Sequence, residues 1–398
     1  MVMQKINYNT LFEHAIDLPL VLHLSSPRSG TDFFHSLFDG HPEILHQPGA
    51  YDYCDFWLSA LCKENLDDLI YEFIYRHTHS FQNQISKFKS VYNKYERWNQ
   101  LGENKDESFC VSIDDFIQHM HGLLDGRELT AHSFFYAYHV AYALCSGMEV
   151  KATKLLYYHI HNYKRFDRFA GFFPDFSIVF SYRDPRNIIS TEMEHKINRT
   201  DKEEQLASAY LFKLGRALRG IEDFRECDLK VVVLEDLHLY PDRVLGAFAR
   251  HYGISHEDSM YVSSYHGKQW WGDSQSKKYL KNFSHQPPEE KWLSTMTSLD
   301  DRLVQALLYP RLKRLGFQVQ RNLPVLLLSP ILILVPTKYE LRILFTDAFR
   351  PYRLRKKLGR LLSCLRCYIA RVQMFYGLFV LRLTGKVYTP EKFYDESV

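Results

Sequence analysis

An arginine, a glycine and two hydroxyl residues lie together near the start of the chain. The apolar run Leu20 to Leu24 is typical of a buried strand, and Pro27-Arg28-Ser29-Gly30-Thr31 follows it. Apolar residues then recur at helical spacing from Phe33 onward. Glycine permits close approach of a ligand, amides at a helix start attract anions, and the arginine and hydroxyl side chains add charge and donors. We therefore predict that this strand–loop–helix unit binds a phosphate.

The same order of residue types returns further along the chain. Phe176 to Tyr182 predicts a buried strand, Arg183-Asp184-Pro185-Arg186 interrupts it, and a helical pattern follows. Arg183 and a hydroxyl of that helix, Ser190 or Thr191, are suited to hold a second anion. Strands that alternate with helices predict a parallel sheet, in which ligands bind at the carboxyl ends of the strands. Arg28 and Arg183 are therefore expected at the same edge of the sheet.

These two motifs resemble the 5'-phosphosulfate and 3'-phosphate loops of sulfotransferases, which transfer a sulfuryl group from 3'-phosphoadenylyl sulfate (PAPS). The resemblance extends from about Leu18 to Phe317 and includes Leu234-Glu235-Asp236-Leu237. It implies an α/β fold, namely a three-layer, P-loop-like domain around a short parallel sheet. We expect this domain to occupy residues 1–318, with a helical insertion at about 55–150 and a basic, partly apolar helical tail at 319–398.

The resemblance also implies a role for the residues of the two loops and of a later basic loop. PAPS would be bound, without a metal, by Arg28, Ser29, Gly30, Thr31, Arg183, Ser190 or Thr191, Lys277, Lys278 and Lys281. Arg28 would also neutralise the leaving 5'-phosphate, and a lysine before the second strand would assist it. Lys154 is the preferred candidate for that lysine, and Lys151 is the alternative.

The base that removes the acceptor proton is missing from the position that the resemblance implies. Glycan and tyrosylprotein sulfotransferases with a similar loop place a glutamate eight or nine residues after a His-Pro pair, where this chain has Gly49 and Ala50. His46 and Asp52 are the nearest candidates, and the ordinary pKa of a histidine suits proton transfer near neutrality. Further candidates stay open: Asp55, Asp114, Asp115 and His132.

Asp32 is a second departure from the family pattern, because a hydroxyl residue usually follows the position of Thr31. A carboxylate is favourable in the first turn of a helix. Beside a bound phosphate, the same carboxylate is unfavourable. Asp32 either turns away from the phosphate or marks altered donor binding.

Two short pairs of residues have the types that begin a metal site. They are His159-Ile160-His161 and Cys364-Leu365-Arg366-Cys367. Neither pair has the further ligands nearby in the sequence that a metal site requires. We therefore predict that the protein binds no metal.

The amino-acid composition indicates in which cellular compartment the protein works and which classes of partner it can bind. The 398 residues include seven cysteines without regular spacing and have a formal net charge of +3. Irregular cysteines indicate a reducing compartment, and so small a charge does not indicate a nucleic-acid partner. We predict a cytoplasmic protein. The basic tail with its aromatic and aliphatic residues is expected to bind an anionic membrane at the inner leaflet, or to pack on the enzyme or on a second subunit; the oligomeric state stays open.

The predicted reaction is transfer of a sulfuryl group to an acceptor hydroxyl of a carbohydrate or glycolipid, since the aromatic-rich insertion suits stacking on sugars. One alternative is a P-loop kinase or other nucleotide phosphotransferase, which needs a lysine that does not follow Gly30. Glu235-Asp236 resembles the magnesium-holding carboxylates of such enzymes. The other alternative is a non-catalytic, membrane-associated copy of the fold, which Asp32 and the missing glutamate favour.

Overall fold

The computed structural model of the chain describes residues 6–26, 28–60, 65–83, 100–161, 166–199, 204–272, 283–285, 292, 295–342 and 354–395. The strands are β1 (Leu20–Ser25), β2 (Ile44–His46), β3 (Leu155–His159), β4 (Ser177–Tyr182), β5 (Leu229–Val233), β6 (Ser264–Tyr265), β7 (Lys268–Gln269) and β8 (Glu391–Lys392). The helices are α1 (Tyr8–Ile16), α2 (Thr31–Ser36), α3 (Tyr53–Ala60), α4 (Leu66–Arg76), α5 (Thr78–Phe81), α6 (Ile113–Leu124), α7 (Ala131–Cys145), α8 (Phe166–Phe172), α9 (Pro185–Arg199), α10 (Glu204–Arg219), α11 (Leu234–Leu239), α12 (Pro241–Tyr252), α13 (Ser298–Arg314), α14 (Leu323–Leu332) and α15 (Leu354–Leu383).

Six of the strands form one sheet, in the order β2-β3-β1-β4-β5-β8. Each neighbouring pair in this sheet is parallel. β1 is buried along its whole length, as expected when helices cover both faces of a parallel sheet. The predicted α/β class and its parallel sheet are confirmed.

Alternate residues of β1 face two different cores, which makes the fold three-layered. Leu22 packs in the core that contains α7 and the other insertion helices. Val21 packs instead with Phe34 of α2 and Phe248 of α12. Because side chains alternate across a strand, these two clusters lie on opposite faces of the sheet. The predicted arrangement of helices, sheet and helices is therefore observed.

The register of the sheet aligns the ends of its central strands. Leu20 pairs with Leu156 on β3, and Ser25 pairs with Ser181 on β4. The carboxyl ends of β1, β3 and β4 therefore open at the same edge. The loops that follow these strands meet there, at the place where open parallel sheets bind ligands.

The last part of the chain belongs to the same sheet. Lys230 of β5 pairs with Glu391 of β8, which lies far beyond the predicted domain boundary at residue 318. Arg311 of α13 is buried and donates hydrogen bonds to the carbonyl oxygens of Leu218 and Tyr388, both at 2.8 Å. A boundary at 318 thus leaves out a strand of the sheet and separates Arg311 from one of its partners.

Candidate active site

The loop between β1 and α2 has a backbone that few residue types adopt. Arg28 has a φ of 57° and Gly30 a φ of 72°, both in the left-handed region. The backbone favours glycine at position 30, and a Cβ atom there would also require the Leu234 side chain to move. Ser29 is 1% exposed, and its Oγ has no hydrogen-bond partner among the described residues. Because buried hydroxyls are normally paired, Ser29 is suited to a ligand.

Arg28 and Arg183 meet at the carboxyl edge of the sheet. Arg183 Nη1 donates a hydrogen bond to the Arg28 carbonyl oxygen at 3.2 Å. Arg28 Nε donates to Glu192 Oε1 at 3.0 Å, and Lys213 pairs with the other oxygen of that carboxylate. The common edge predicted for the two arginines is therefore observed, while their role in donor binding stays a prediction. The Glu192 carboxylate thus holds two cationic side chains, Arg28 and Lys213, in place at this edge.

Glu235 is a carboxylate of this edge that sequence analysis did not connect with donor binding. It is the second residue of α11, and its Oε1 accepts a hydrogen bond from the Asp184 amide at 3.2 Å. Arg183 Nε lies 3.9 Å from the same oxygen. Burial raises the pKa of Glu235 to about 7, the Arg183 charge lowers it, and Asp184 raises it. A carboxyl group beside Arg183 that titrates near neutrality will respond to an anion bound there.

Of the other side chains predicted to bind the donor, two hydroxyl residues lie in α9 and three lysines lie outside the described residues. Ser190 is fully buried and Thr191 half-buried, both in α9, which starts directly after the Arg183 loop. Lys277, Lys278 and Lys281 lie outside the described residues, so their contact with the donor stays a prediction. The chain beyond those lysines returns to the site, because Phe283 packs edge-on against Phe33 of α2 with ring centroids 5.6 Å apart.

Lys154 does not lie at this edge, which corrects the role predicted for it. It immediately precedes β3 and forms an ion pair with Glu43 at 2.5 Å. β3 runs parallel to β1, so a residue before β3 lies at the amino edge of the sheet, the edge opposite to Arg28. A strand of this length separates the two edges by about 15 Å. Lys151 lies in the short 3-10 helix Val150–Ala152, also before β3, and is equally remote.

Four buried histidines lie near the loop between β1 and α2, and one of them is the predicted base His46. His35 Nε2 is hydrogen-bonded to His46 Nδ1 at 3.1 Å, and His35 Nδ1 to His159 Nδ1 at 3.3 Å. The ring of His23 stacks on that of His159 with centroids 4.7 Å apart. Burial lowers the pKa of His46 to about 4 and that of His23 to about 3. His46 is therefore a neutral, enclosed member of a hydrogen-bonded chain rather than an accessible base.

The Asp32 carboxylate points toward two histidines at the end of this hydrogen-bonded row, while its effect on donor binding stays a prediction. Its Oδ1 lies 3.4 Å from His161 Nε2 and 3.9 Å from His159 Nδ1. His159 is buried, whereas the His161 side chain is 40% exposed. The prediction that these two histidines have no matching carboxylate is therefore wrong. Asp32 lies in the first turn of α2, shortly after β1, and reaches them because β1 pairs with β3, which ends at His159.

The same trio has the geometry of a possible metal site. The ligand atoms of Asp32, His159 and His161 lie within 4.8 Å of one another. Two imidazoles and one carboxylate form a set that first-row transition metals accept. Without a metal, the trio forms a unit in which a carboxylate orients an exposed imidazole.

The other candidates for the base have structural roles. Asp52 Oδ1 accepts a hydrogen bond from the Asp55 amide at 3.2 Å at the start of α3. Asp114 and Asp115 occupy the first turn of α6, where carboxylates favour the helix. His132 stacks on Phe173 with centroids 5.7 Å apart. Of these, only Asp52 is placed near the histidines, because the neighbouring Tyr51 amide donates to the His159 carbonyl at 3.1 Å.

A pocket opens between the histidines and the hairpin formed by β6 and β7. Its lining includes Asp32, His35, Asp39, His46, Tyr265 and Trp270. Asp39 Oδ2 accepts hydrogen bonds from Ser264 Oγ at 2.7 Å and from the Gly267 amide at 2.8 Å, and so fixes the hairpin. A second cavity shares Asp39 and His46 and extends toward Met148. The pocket beside Asp32 has a volume of only about 20 Å³, room for about one water molecule, whereas the second cavity has a volume of about 520 Å³.

Comparison with solved structures finds sulfotransferases at low sequence identity. The sulfotransferase domain from the curacin biosynthetic pathway is 13% identical, with a TM-score of 0.41 over 76% of this chain and 99% of that chain. The sulfotransferase domain from the Synechococcus PCC 7002 olefin synthase is 16% identical, with a TM-score of 0.37 over 62% and 77% of the two chains. Sulfotransferase STF9 from Mycobacterium avium is 11% identical, with a TM-score of 0.35 over 79% and 82%. No protein-family model and no curated protein matches the sequence. These three solved structures are sulfotransferases, each with low sequence identity to this chain.

Proposed function

We propose that this protein transfers a sulfuryl group from PAPS to a hydroxyl group of a carbohydrate or glycolipid. The observation that carries the proposal is the hydrogen bond from Arg183 to the Arg28 carbonyl, which joins the loops after β4 and β1 into one surface. Two anion-binding loops at one edge suit a nucleotide with phosphates at both its 5' and 3' positions. A nucleoside triphosphate would instead require the lysine that does not follow Gly30.

The residues of this edge divide between the two phosphates. Arg28 and the buried Ser29 hydroxyl bind the 5'-phosphosulfate, and Arg183 with Ser190 or Thr191 binds the 3'-phosphate. During transfer, the bond between sulfur and the 5'-phosphate oxygen breaks, and negative charge collects on that oxygen. Arg28 stabilises this charge, because a guanidinium fixed beforehand by Glu192 needs no reorganisation when the charge develops. The leaving product is adenosine 3',5'-bisphosphate.

His161 is the base that the geometry favours for the acceptor hydroxyl. It is the exposed member of the trio, it follows β3 at the carboxyl edge, and Asp32 Oδ1 lies 3.4 Å from its Nε2. Asp32 orients the ring and stabilises the imidazolium that forms when the other ring nitrogen takes the acceptor proton. The acceptor oxygen then forms the new bond to sulfur. His46 stays buried, where its Nδ1 is hydrogen-bonded to His35 Nε2.

The larger cavity beside the histidines, of about 520 Å³, has room for a sugar. Its lining combines the rings of Tyr142 and His266 with the polar side chains of Asp39 and Ser146. Binding sites of this kind combine apolar area with a few polar groups that fix orientation. Asp39 also lines the small pocket beside Asp32, which is the partner of His161.

Calorimetric titration of adenosine 3',5'-bisphosphate without metal tests the donor site. We expect micromolar binding to the wild type. Arg183→Ala removes a charge-assisted contact worth about 1.5–3 kcal/mol, which weakens binding by roughly 10- to 100-fold. Arg168→Ala is the matched control, because Arg168 is an exposed arginine on α8. It should leave the affinity unchanged.

Three outcomes would count against the proposal. Equal affinities in wild type and Arg183→Ala would remove the 3'-phosphate assignment. Binding of ATP with magnesium in preference to the bisphosphate would support a phosphotransferase. If neither nucleotide binds, the chain is a non-catalytic copy of the fold.

A further inference from the structure

A stripe of leucine and isoleucine side chains on α15 faces away from the protein. The residues are Leu358, Leu361, Leu362, Leu365 and Ile369, each between 45% and 56% exposed. Their spacing places them on one face of a helix. An amphipathic helix of a globular protein normally turns such a stripe toward its core. Here the core is contacted by other residues of the same helix, including Cys364, Met374 and Phe375.

The region around α14 extends this stripe into a broad surface. Its exposed apolar residues are Leu323, Leu327, Leu328, Ile331, Leu334 and Val335, with exposed fractions between 44% and 69%. The end of this segment lies directly against α15, because Tyr368 donates a hydrogen bond to the Leu334 carbonyl at 2.8 Å. Arg371 donates to the carbonyl oxygens of Ile333 and Val335, both at 3.1 Å. We call these eleven side chains the apolar face.

The packing of α15 favours a helix that lies on a membrane over one that crosses it. The segment Lys357–Leu383 is long and apolar enough to cross a bilayer. However, Arg371 in the middle of it is buried and paired with Glu340 at 2.9 Å. The second half of α15 also packs in one core with residues of α10 and α13. Crossing would expose this ion pair to lipid and open that core, whereas lying in the plane of the surface requires neither.

The charges around the apolar face favour an anionic partner. α15 contains seven arginine and lysine residues and no acidic residue. Arg355 and Arg366 are exposed and lie at the margins of the leucine stripe by helical spacing. Arg342, beside the exposed Leu341, is also exposed. A second copy of this chain would bring the same positive charges against each other in a symmetric contact, which is unfavourable.

We propose that the apolar face binds the surface of an anionic phospholipid membrane, with α14 and α15 lying in its plane. The leucine side chains enter the boundary between headgroups and acyl chains to a depth of about 5–10 Å. The marginal arginines contact anionic headgroups, an attraction that weakens as the salt concentration rises. A glycolipid acceptor would then be presented at the same surface, although the docking itself does not depend on the proposed reaction.

Co-sedimentation of the full-length protein with vesicles tests this proposal. We expect binding to vesicles of phosphatidylcholine and phosphatidylglycerol, weaker binding to pure phosphatidylcholine, and a decrease with salt. Leu361→Ser/Leu365→Ser should weaken binding to the anionic vesicles by about tenfold or more through lost apolar burial. Arg355→Glu/Arg366→Glu should abolish the preference for anionic lipid while leaving the thermal unfolding midpoint near that of the wild type.

Tyr71→Ser/Leu129→Ser is the matched control, since both side chains are exposed but lie on α4 and before α7, far along the chain from the apolar face. It should bind vesicles like the wild type. Equal sedimentation of wild type and the leucine variant would overturn the proposal. So would a lipid-independent dimer, seen by analytical ultracentrifugation, that the leucine variant dissociates, because the apolar face would then bind a second copy.

Discussion

His161 and Asp32 illustrate how one exposed imidazole acquires a partner from a distant part of the chain. If His161 takes the acceptor proton, His161→Gln should slow sulfuryl transfer by about 10²- to 10⁴-fold. Adenosine 3',5'-bisphosphate binding should stay unchanged, because the donor phosphates contact other residues. Asp32→Asn should have a smaller effect, since it leaves the ring in place. The measurement is transfer of labelled sulfuryl group from PAPS to a panel of glycans and glycolipids.

His251→Gln is the control for this experiment, because His251 is an exposed histidine in the last turn of α12. A His161→Gln enzyme that transfers at the wild-type rate would exclude His161 as the base. Loss of activity in His46→Gln alone, with normal unfolding, would return the role to the inner histidine.

The carboxyl group of Glu235 has a pKa near neutrality, and its titration can be measured as a change of the unfolding free energy with pH. Burial raises its pKa from 4.5 to about 7 in the folded protein, so the folded state holds a proton there that the unfolded state has lost. Its contribution to stability is fully present below pH 4.5 and is lost as the pH rises to about 7 and slightly beyond. Glu235→Gln keeps a carbonyl acceptor for the Asp184 amide and removes the titration.

Urea unfolding of wild type and Glu235→Gln across pH 4 to 8.5 checks this prediction. Relative to the variant, the wild type should lose roughly 3 kcal/mol of unfolding free energy between acidic pH and pH 8. The difference should change most between the two pKa values. A constant difference across the whole range would show that the pKa of Glu235 is the same in the folded and unfolded states.

The loop between β1 and α2 depends on Gly30 for two separable reasons. Alanine at this position must adopt a φ of 72° and place its Cβ 2.4 Å from Leu234 Cδ1. Gly40 has a similar φ of 78° but no atom within 4 Å of the corresponding Cβ position. Gly40→Ala therefore measures the backbone strain alone, about 1 kcal/mol. Gly30→Ala should cost about 1–3 kcal/mol more, because Leu234 or the loop must shift.

Chemical denaturation measures both costs, and calorimetry of the bisphosphate measures the effect on the loop. Gly30→Ala should weaken bisphosphate binding, whereas Gly40→Ala should not. Equal losses of stability in the two variants would mean that Leu234 moves away freely. The close approach of Leu234 would then not select glycine at position 30.

The elements that position this site differ in how far the sequence could predict them. The strand–loop–helix pattern was sufficient to place Arg28 and Arg183 at one edge, because the carboxyl ends of parallel strands always coincide. The role given to Lys154 failed for the same reason, since a residue before a parallel strand lies at the opposite edge. Asp32 and His161 could not be joined from the sequence. Their contact depends on which strands are neighbours, and local periodicity does not encode the order of strands in a sheet.

At the scale of the whole molecule, the tail and the sheet form one folded unit. Tyr394 is buried, and its hydroxyl donates to Asp236 Oδ2 at 2.8 Å while accepting from the Val233 amide at 3.2 Å. Lys392 Nζ also bonds to Asp236 Oδ2, at 3.2 Å. These contacts fix β8 next to β5 and hold the start of α11, which carries Glu235. The last strand therefore supports the edge of the sheet that carries Glu235, although it follows the helices of the apolar face.

Removing these contacts should destabilise the whole protein rather than release a separate module. Tyr394→Phe should lower the unfolding free energy by about 1–2 kcal/mol through the lost hydrogen bonds. Tyr394→Ala should lower it by about 3–5 kcal/mol, because a buried aromatic ring is also lost. Tyr71→Phe is the control and should leave stability unchanged, because the Tyr71 side chain on α4 is exposed. Urea unfolding followed by far-ultraviolet circular dichroism measures each cost. If a fragment of residues 1–318 unfolded cooperatively with the wild-type midpoint, the sheet would not need its last strand, and the tail would be an independent domain.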